Sequence, residues 1–102
     1  MPNSGTKEQE KTKTVPVVKE PPMYKVLLLN DHYTTMEFVV LVLEQVFHKN
    51  AAEALVIMLA VHRAGSGVAG LYPKEVAETK IAIVQGMARK EGYPLQCLLE
   101  QA

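Results

Sequence analysis

Four polar side chains in this sequence have the types needed to hold an ammonium group. Asn30, Asp31 and His32 directly follow the apolar residues 27–29, and His62 lies further along in an apolar segment. An amide oxygen, a carboxylate and a neutral imidazole are hydrogen-bond acceptors suited to a buried ammonium. The alternatives stay open: a polar turn needs only solvent as its partner, and a lone helical histidine is more often structural.

Apolar side chains at helical spacing accompany these polar groups. Met58, Val61 and His62 stand at positions i, i+3 and i+4, so they share one face of a helix. Met36 and Val39 are similarly placed on a preceding helix. If the two helices form a hairpin, they line a small apolar hollow beside the polar turn, although ordinary core packing would give the same pattern. Such a site would recognise a free amino group that carries a large hydrophobic side chain.

The first half of the chain predicts one strand and two helices around these residues. Residues 23–30 have the aromatic and branched character of a strand. Thr34 with Glu37 three positions later is a capping-box pattern that predicts a helix to about residue 48. Asn50 with Glu53 repeats the pattern and predicts a second helix to about residue 64, where Gly65 would end it.

The second half adds a strand, a helix and a final strand. Residues 66–72 indicate a short strand, and Pro73 favours the start of a long helix that Gly92 ends. Gly86 inside that helix predicts a close packing contact, because glycine is otherwise unfavourable there. Residues 93–100 predict the last strand.

The resulting element order is β-α-α-β-α-β. It predicts an α+β fold with three helices packed on a small three-stranded antiparallel sheet. We expect one domain over residues 23–102. Residues 1–22 are polar and lack apolar periodicity, so they predict a disordered N-terminal extension.

Composition excludes several classes of protein. The 11 basic and 11 acidic residues cancel, which argues against nucleic acid as the main partner and against a polybasic membrane anchor. The chain shows neither a membrane-spanning apolar run nor a signal-peptide pattern, so we expect a cytoplasmic protein. A lone Cys97 excludes an internal disulfide and predicts an inert, half-buried thiol.

Catalysis and metal binding are less favoured than ligand binding. The chain shows no serine or cysteine nucleophile in a recognisable frame, so we expect no enzyme and no cofactor. Asp31, His32 and His62 could instead hold zinc, since two imidazoles and a carboxylate are suitable ligands.

Four blocks of the sequence, in order and with matching spacing, resemble the ClpS family. These adaptors carry proteins with destabilising N-terminal residues to the Clp AAA+ protease. The blocks are "YKVLLLNDHYTTMEFVV", "MLAVHRAG", "EVAETKIAIV" and "PLQCLLEQA". The resemblance covers residues 23–102 and implies a bacterial adaptor that binds N-degron peptides with N-terminal Phe, Tyr, Trp or Leu.

The resemblance also implies roles for particular residues. Asn30, Asp31 and His62 would hold the α-amino group of the ligand. The residues that would line its side-chain pocket are Leu28, Leu29, Thr34, Met36, Val39, Met58, Val61 and Leu95. Among them, Met36 would reject side chains that branch at Cβ.

Partner binding follows from the same resemblance. Glu75 and Lys80 at the start of the third helix would dock on the N-terminal domain of the Clp unfoldase, and the N-terminal extension would take part in delivery. We expect a monomer. A regulator that docks on the unfoldase without binding N-terminal residues remains the alternative.

Two positions depart from the family pattern. His32 stands where the family usually has a second acidic residue, and Thr35 stands where it has a proline. Losing a carboxylate weakens the field that favours an ammonium, so we expect weaker or narrower recognition. It should worsen as the pH falls through the range where histidine side chains titrate, near 6.5. Losing the proline is expected to loosen the loop before the first helix.

Overall fold

The computed structural model of the protein describes residues 20–102. Its elements, in chain order, are β1 (Met23–Leu29), α1 (Met36–Gln45), α2 (Ala51–Ala64), β2 (Ser66–Pro73), α3 (Lys74–Glu91) and β3 (Gln96–Gln101). This order confirms the predicted β-α-α-β-α-β fold. The extension predicted for residues 1–22 lies outside the described residues, apart from residues 20–22, and stays a prediction.

The sheet has β1 as its central strand, and the helices pack on one of its faces. The strand order is β2-β1-β3, and both pairings are antiparallel. Val26 and Leu28 alternate along β1 and are 0 % exposed, which fits a strand with one face against the core. Leu27 points to the other face, where its register partners are Val68 on β2 and Leu98 on β3. The helices therefore pack on one face of the sheet only.

Helix α2 begins and ends as the sequence predicts. Asn50 accepts a hydrogen bond from the Glu53 backbone N–H at 2.8 Å, and the Glu53 carboxylate accepts one from Asn50 N–H at 3.2 Å. Gly65 follows the helix with a φ of 92°, a left-handed conformation that glycine adopts without strain. The capping-box prediction for this helix is confirmed.

Helix α1 is shorter than predicted at both ends. Its N-cap is Thr35, whose hydroxyl accepts a hydrogen bond from Phe38 N–H at 3.1 Å, so the capping box predicted for Thr34 and Glu37 is wrong. The Thr34 hydroxyl donates to Asp31 instead. The helix ends at Gln45 rather than near residue 48, because His48 has a φ of 56° and leaves the helical conformation.

Helix α3 has the predicted start and stop but not the predicted packing contact. Pro73 is its N-cap residue, and Gly92 ends it with a φ of 78°. At Gly86 an added Cβ would meet no atom within 4 Å, so the expected close contact is wrong.

No helix within residues 20–102 is long and apolar enough to cross a membrane.

The final strand contains the single cysteine. Strand β3 begins at Gln96, later than predicted, and Leu95 before it is buried in the core. Cys97 is partly buried, and its burial raises the pKa of the thiol to about 11. The reactive thiolate is therefore scarce at neutral pH, in agreement with the predicted inert thiol.

Candidate functional site

A cavity of about 510 Å³ opens between the β1–α1 turn, the start of α1 and the C-terminal half of α2. The residues that line it are Asn30, Asp31, His32, Tyr33, Thr34, Thr35, Met36, Glu37, Val39, Met58, Val61 and His62. The fold thus brings the polar turn of residues 30–32, which lies 26 to 28 residues before Met58 in sequence, onto the same hollow as the predicted face of α2. That joint placement is what a ligand with one polar and one apolar end requires.

The turn is held against α2 by the backbone. Asn30 N–H donates to the carbonyl oxygen of Gly65 at 2.9 Å, which ties the end of β1 to the residue that ends α2. His62 lies in the last turn of that helix. This bond, next to the pairing of Leu29 with Ser66, therefore helps to keep the polar turn beside the imidazole.

Asp31 organises the rest of the turn. Its Oδ1 accepts hydrogen bonds from the backbone N–H groups of Tyr33 at 2.8 Å and Thr34 at 2.6 Å. Its Oδ2 accepts one from the Thr34 hydroxyl at 2.8 Å. A carboxylate oxygen has two lone-pair directions, so Oδ2 can still accept from a further donor.

These contacts keep Asp31 ionised. Burial alone would raise its pKa, but the backbone hydrogen bonds from Thr34 and Tyr33, the Thr34 hydroxyl and the nearby charge of His32 together outweigh burial. The pKa of Asp31 is therefore lowered from its ordinary value. A negative charge at the mouth of the cavity suits a cationic ligand group.

The apolar side of the cavity comes from the two packed helices. Val39, Met58 and Val61 are buried, whereas Met36 at the start of α1 is 43 % exposed and lies at the rim. Methionine side chains are flexible and polarisable, so they adapt to apolar groups of different shape.

Gly67 on β2 allows α2 to approach the sheet beneath the cavity. A Cβ at this position would lie 2.9 Å from Val61 Cγ2 and 3.1 Å from the Ile57 carbonyl oxygen. Any side chain here would push α2 outward, because a backbone oxygen cannot move aside cheaply. The position of Val61 in the cavity wall thus depends on this glycine.

Three of the predicted pocket residues do not line this cavity. Leu28 is fully buried in the core on the helix-facing side of β1. Leu29 lines a neighbouring hollow beneath the turn, and Leu95 is buried near the C-terminal end of α3. Alternation along β1 and the late start of β3 account for these placements, which sequence spacing alone cannot resolve.

Two lining residues were missing from the sequence prediction. Tyr33 is 78 % exposed and follows the polar turn, and Glu37 follows Met36 in the first turn of α1. Tyr33 stands between the predicted residues His32 and Thr34, and this position is the signal that could have found it. Glu37 carried no such signal, because successive residues of a helix project in different directions.

The groups considered for zinc do not assemble into a metal site. Within residues 20–102 the structure contains no cluster of three or more His, Cys, Asp or Glu side chains that could hold a metal ion. Asp31, His32 and His62 line the same cavity but do not meet this condition. Within the described residues, the arrangement of these side chains therefore gives the zinc alternative no support.

The two residues predicted to dock on an unfoldase have different surroundings. Glu75 is exposed in the first turn of α3. Lys80 is partly buried, and its Nζ donates to the Val46 carbonyl oxygen at 2.7 Å and lies 5.1 Å from the centre of the Tyr72 ring. Its ammonium group already has partners within the chain.

Residues 19–98 match the protein family described as "ATP-dependent Clp protease adaptor protein ClpS". The chain belongs to the ClpS family. It is 56 % identical over 84 residues to the ClpS adapter of Janthinobacterium sp., a match that covers 82 % of each chain. It is 62 % identical over 84 residues to the ClpS adapter of Nitratidesulfovibrio vulgaris, covering 82 % of this chain and 81 % of that one.

A solved ClpS structure has the same fold. The structure of Agrobacterium tumefaciens ClpS2 bound to L-phenylalaninamide is 37 % identical in sequence, with a TM-score of 0.77. The match covers 81 % of this chain and 100 % of that chain. ClpS proteins are adaptors of the Clp protease rather than enzymes, which confirms the predicted class of protein.

Proposed function

We propose that this ClpS-family adaptor binds the free α-amino group and the large hydrophobic side chain of N-degron substrates and delivers them to the Clp AAA+ unfoldase–protease. The preferred first residues are Phe, Tyr, Trp and Leu. The observation that carries the proposal is one cavity that joins Asn30, Asp31 and His62 to an apolar wall. L-phenylalaninamide, the ligand of the Agrobacterium relative, carries a free amino group and a large hydrophobic side chain on one carbon atom.

The polar end of the cavity supports recognition of an ammonium group. Asp31 is anionic, and its Oδ2 has room for one more donor beyond the Thr34 hydroxyl. The amide oxygen of Asn30 and a neutral imidazole at His62 add two further acceptors on the same cavity. Hydrogen bonds to a charged group contribute about 1.5–3 kcal/mol, so an acetylated amine should bind much more weakly.

The apolar end supports selection of the side chain. Burying a side chain such as Phe or Leu is worth roughly 1.5–3 kcal/mol. With about 1.5–3 kcal/mol from each of three hydrogen bonds to the amine, the total reaches the roughly 8 kcal/mol that corresponds to micromolar binding. Met36 stands at the rim, where it would crowd side chains that branch at Cβ, such as Ile and Val. Selectivity then arises from shape and charge together.

His32 adjusts this recognition. It lines the cavity beside Asp31, in the place where the family usually has a carboxylate. A protonated imidazole there opposes a cationic ligand, so binding should weaken at acidic pH. Replacing His32 by Asp should remove this sensitivity.

Delivery requires contact with the Clp unfoldase. We propose docking on its N-terminal domain through the exposed start of α3, where Glu75 lies, by a monomer in the bacterial cytoplasm. The conformation of Lys80 suggests that it supports this surface by holding α1 and Tyr72 rather than by offering a free charge.

The test is fluorescence anisotropy with one labelled peptide scaffold in which only residue 1 changes, among Phe, Tyr, Trp, Leu, Ile and Ala. An N-acetylated Phe peptide and a His62→Ala variant are the controls for the amine contacts. We expect tight binding to the first four peptides, and a large loss with Ile, with Ala, with acetylation and with the variant.

Equal binding of the free and acetylated Phe peptides would contradict the proposal. If no peptide bound while the protein still bound the unfoldase N-terminal domain, the chain would be a regulator that acts through docking alone.

A further inference from the structure

A second hollow of about 580 Å³ runs between α1 and the C-terminal part of α3. The residues that line it are Thr35, Glu37, Phe38, Leu41, Met87, Lys90, Glu91 and Tyr93. This lining combines four apolar or aromatic side chains with three charged ones. The role of adaptor described above does not use this groove.

The floor of the groove is built to remain in place. Phe38 is buried, and its ring centre lies 4.9 Å from that of Tyr93, with a tilt of 56° between the rings. Aromatic pairs in this range stabilise each other beyond their buried area. Leu41, by contrast, is 38 % exposed, so an apolar side chain of a ligand would find uncovered surface beside a fixed floor.

The groove lies next to the proposed N-degron cavity. Thr35 and Glu37 line both hollows, so the first turn of α1 is the ridge that separates them. A bound polypeptide must continue away from the cavity after its first residue. The start of α1 offers it a path into the groove.

We propose that the groove receives a large apolar side chain of the same substrate, a few residues after its N-terminal residue. This inference rests on the proposed function. An α-helix with its side chains is about 10 Å wide, and an extended chain advances about 3.3 Å per residue. About three residues therefore cross the ridge, and the side chain that enters the groove belongs to residue 4 or to a neighbour of it.

The experiment uses the full chain and labelled peptides that begin with Phe and continue with Gly and Ser. One Leu is placed in turn at each position from 2 to 7, and anisotropy gives each affinity. We expect about a 3- to 10-fold gain for Leu at one position between 3 and 5 relative to the peptide without Leu.

Matched variants locate the gain on the protein. Leu41→Ser should abolish it. Leu55→Ser is the control, because Leu55 is 49 % exposed on α2 and lines neither hollow. Both variants replace a partly exposed helical leucine, so we expect both to fold, and thermal melts check this.

The outcomes separate this inference from the function on which it rests. Two outcomes would disprove the proposed role of the groove and leave the proposed function intact. In the first, binding needs a free N-terminal Phe but no position of Leu increases the affinity. In the second, the gain from Leu persists in Leu41→Ser. Binding that is indifferent to acetylation of Phe would overturn both. If Leu41→Ser weakened only binding to the unfoldase, the groove would belong to that partner instead.

Discussion

Lys80 on α3 caps the C-terminal end of α1. Its Nζ donates to the Val46 carbonyl oxygen at 2.7 Å, and α1 has no basic residue of its own in its last turn. The end of a helix carries partial negative charge, so an ammonium from another element satisfies it as a local lysine would. The Tyr72 ring, 5.1 Å from Nζ, adds a cation–π contact.

Replacing Lys80 by Met should destabilise the fold. The change keeps the apolar stem but removes the hydrogen bond to Val46 and the charge at the helix end, for a loss of about 1–2 kcal/mol. For a domain of this size we expect Tm to fall by roughly 4–8 °C per kcal/mol, measured by circular dichroism. Lys74→Met is the control, because Lys74 is exposed at the start of α3, and its Tm should hardly change. An unchanged Tm for the Lys80 variant would show that the bond contributes nothing.

Two substitutions of Asp31 should distinguish its contribution to the stability of the turn from its contribution to ligand binding. In Asp31→Asn the amide oxygen can still accept from the N–H groups of Tyr33 and Thr34, but the negative charge is lost. We expect a small change in Tm and more than a tenfold, on the order of 1.4 kcal/mol or greater, loss of affinity for a Phe-initiated peptide. Asp31→Ala should lower both Tm and affinity. Equal affinities of the Asn variant and the unaltered protein would exclude a role for the charge.

The lowered pKa of Asp31 also predicts a pH dependence of stability. A carboxyl group whose pKa is lower in the folded than in the unfolded state stabilises the fold fully above its unfolded pKa of about 3.9. That contribution disappears as the pH falls from about 5 through the lowered native pKa. Urea unfolding of the protein and of Asp31→Asn should therefore converge in free energy at low pH. A constant difference between pH 7 and pH 2 would contradict this assignment.

Thr35 should stabilise α1 through its hydroxyl. Thr35→Ala leaves Phe38 N–H without its acceptor and should lower the free energy of unfolding by about 1 kcal/mol, whereas Thr35→Ser keeps the cap and should stay near the original value. Thr35→Pro is compatible with the observed φ of −72°. Because proline lowers the conformational entropy of the unfolded chain, it should offset part of the free energy of unfolding that is lost with the cap. Urea unfolding measures all three. A Ser variant as unstable as the Ala variant would exclude capping by the hydroxyl.

Gly86→Ala should stabilise the protein. A methyl group there meets no atom within 4 Å, and alanine is favoured over glycine inside a helix by about 1 kcal/mol. Gly92→Ala is the matched contrast: it has equal space, but its φ of 78° is strained for any side chain, so that variant should lose about 1 kcal/mol or more. Thermal melts of both decide the matter. A lower Tm for Gly86→Ala would mean that the glycine serves a purpose other than helix geometry.

Local signals predicted the elements well where the deciding contacts are close in sequence. Asn50 and Glu53 are three residues apart and cap α2 as predicted. The pattern at Thr34 failed, although it has the same form, because Asp31 competes for the Thr34 hydroxyl and Thr35 offers an alternative cap one residue later. Only Thr34 has a glutamate three residues later, because Phe38 follows Thr35 at that spacing, so the sequence pattern favours the wrong start.

The candidate site was predictable in its chemistry but not in its walls. Asn30, Asp31 and His62 could be chosen from residue type, and the cavity contains all three. Leu28 and Leu95 could not be excluded, because a buried leucine and a pocket leucine have the same sequence signature.

The sequence by itself determined the order of strands and helices, the caps of α2, and the residue types able to bind an amine beside an apolar group. These depend on periodicity and on hydrogen bonds over three or four residues, which the chain encodes locally. Only the tertiary structure decided which side chains share a cavity and that Lys80 caps α1, 34 residues away in sequence. Such contacts depend on how whole elements pack, and the packing is set by the combined burial of the core rather than by any local pattern.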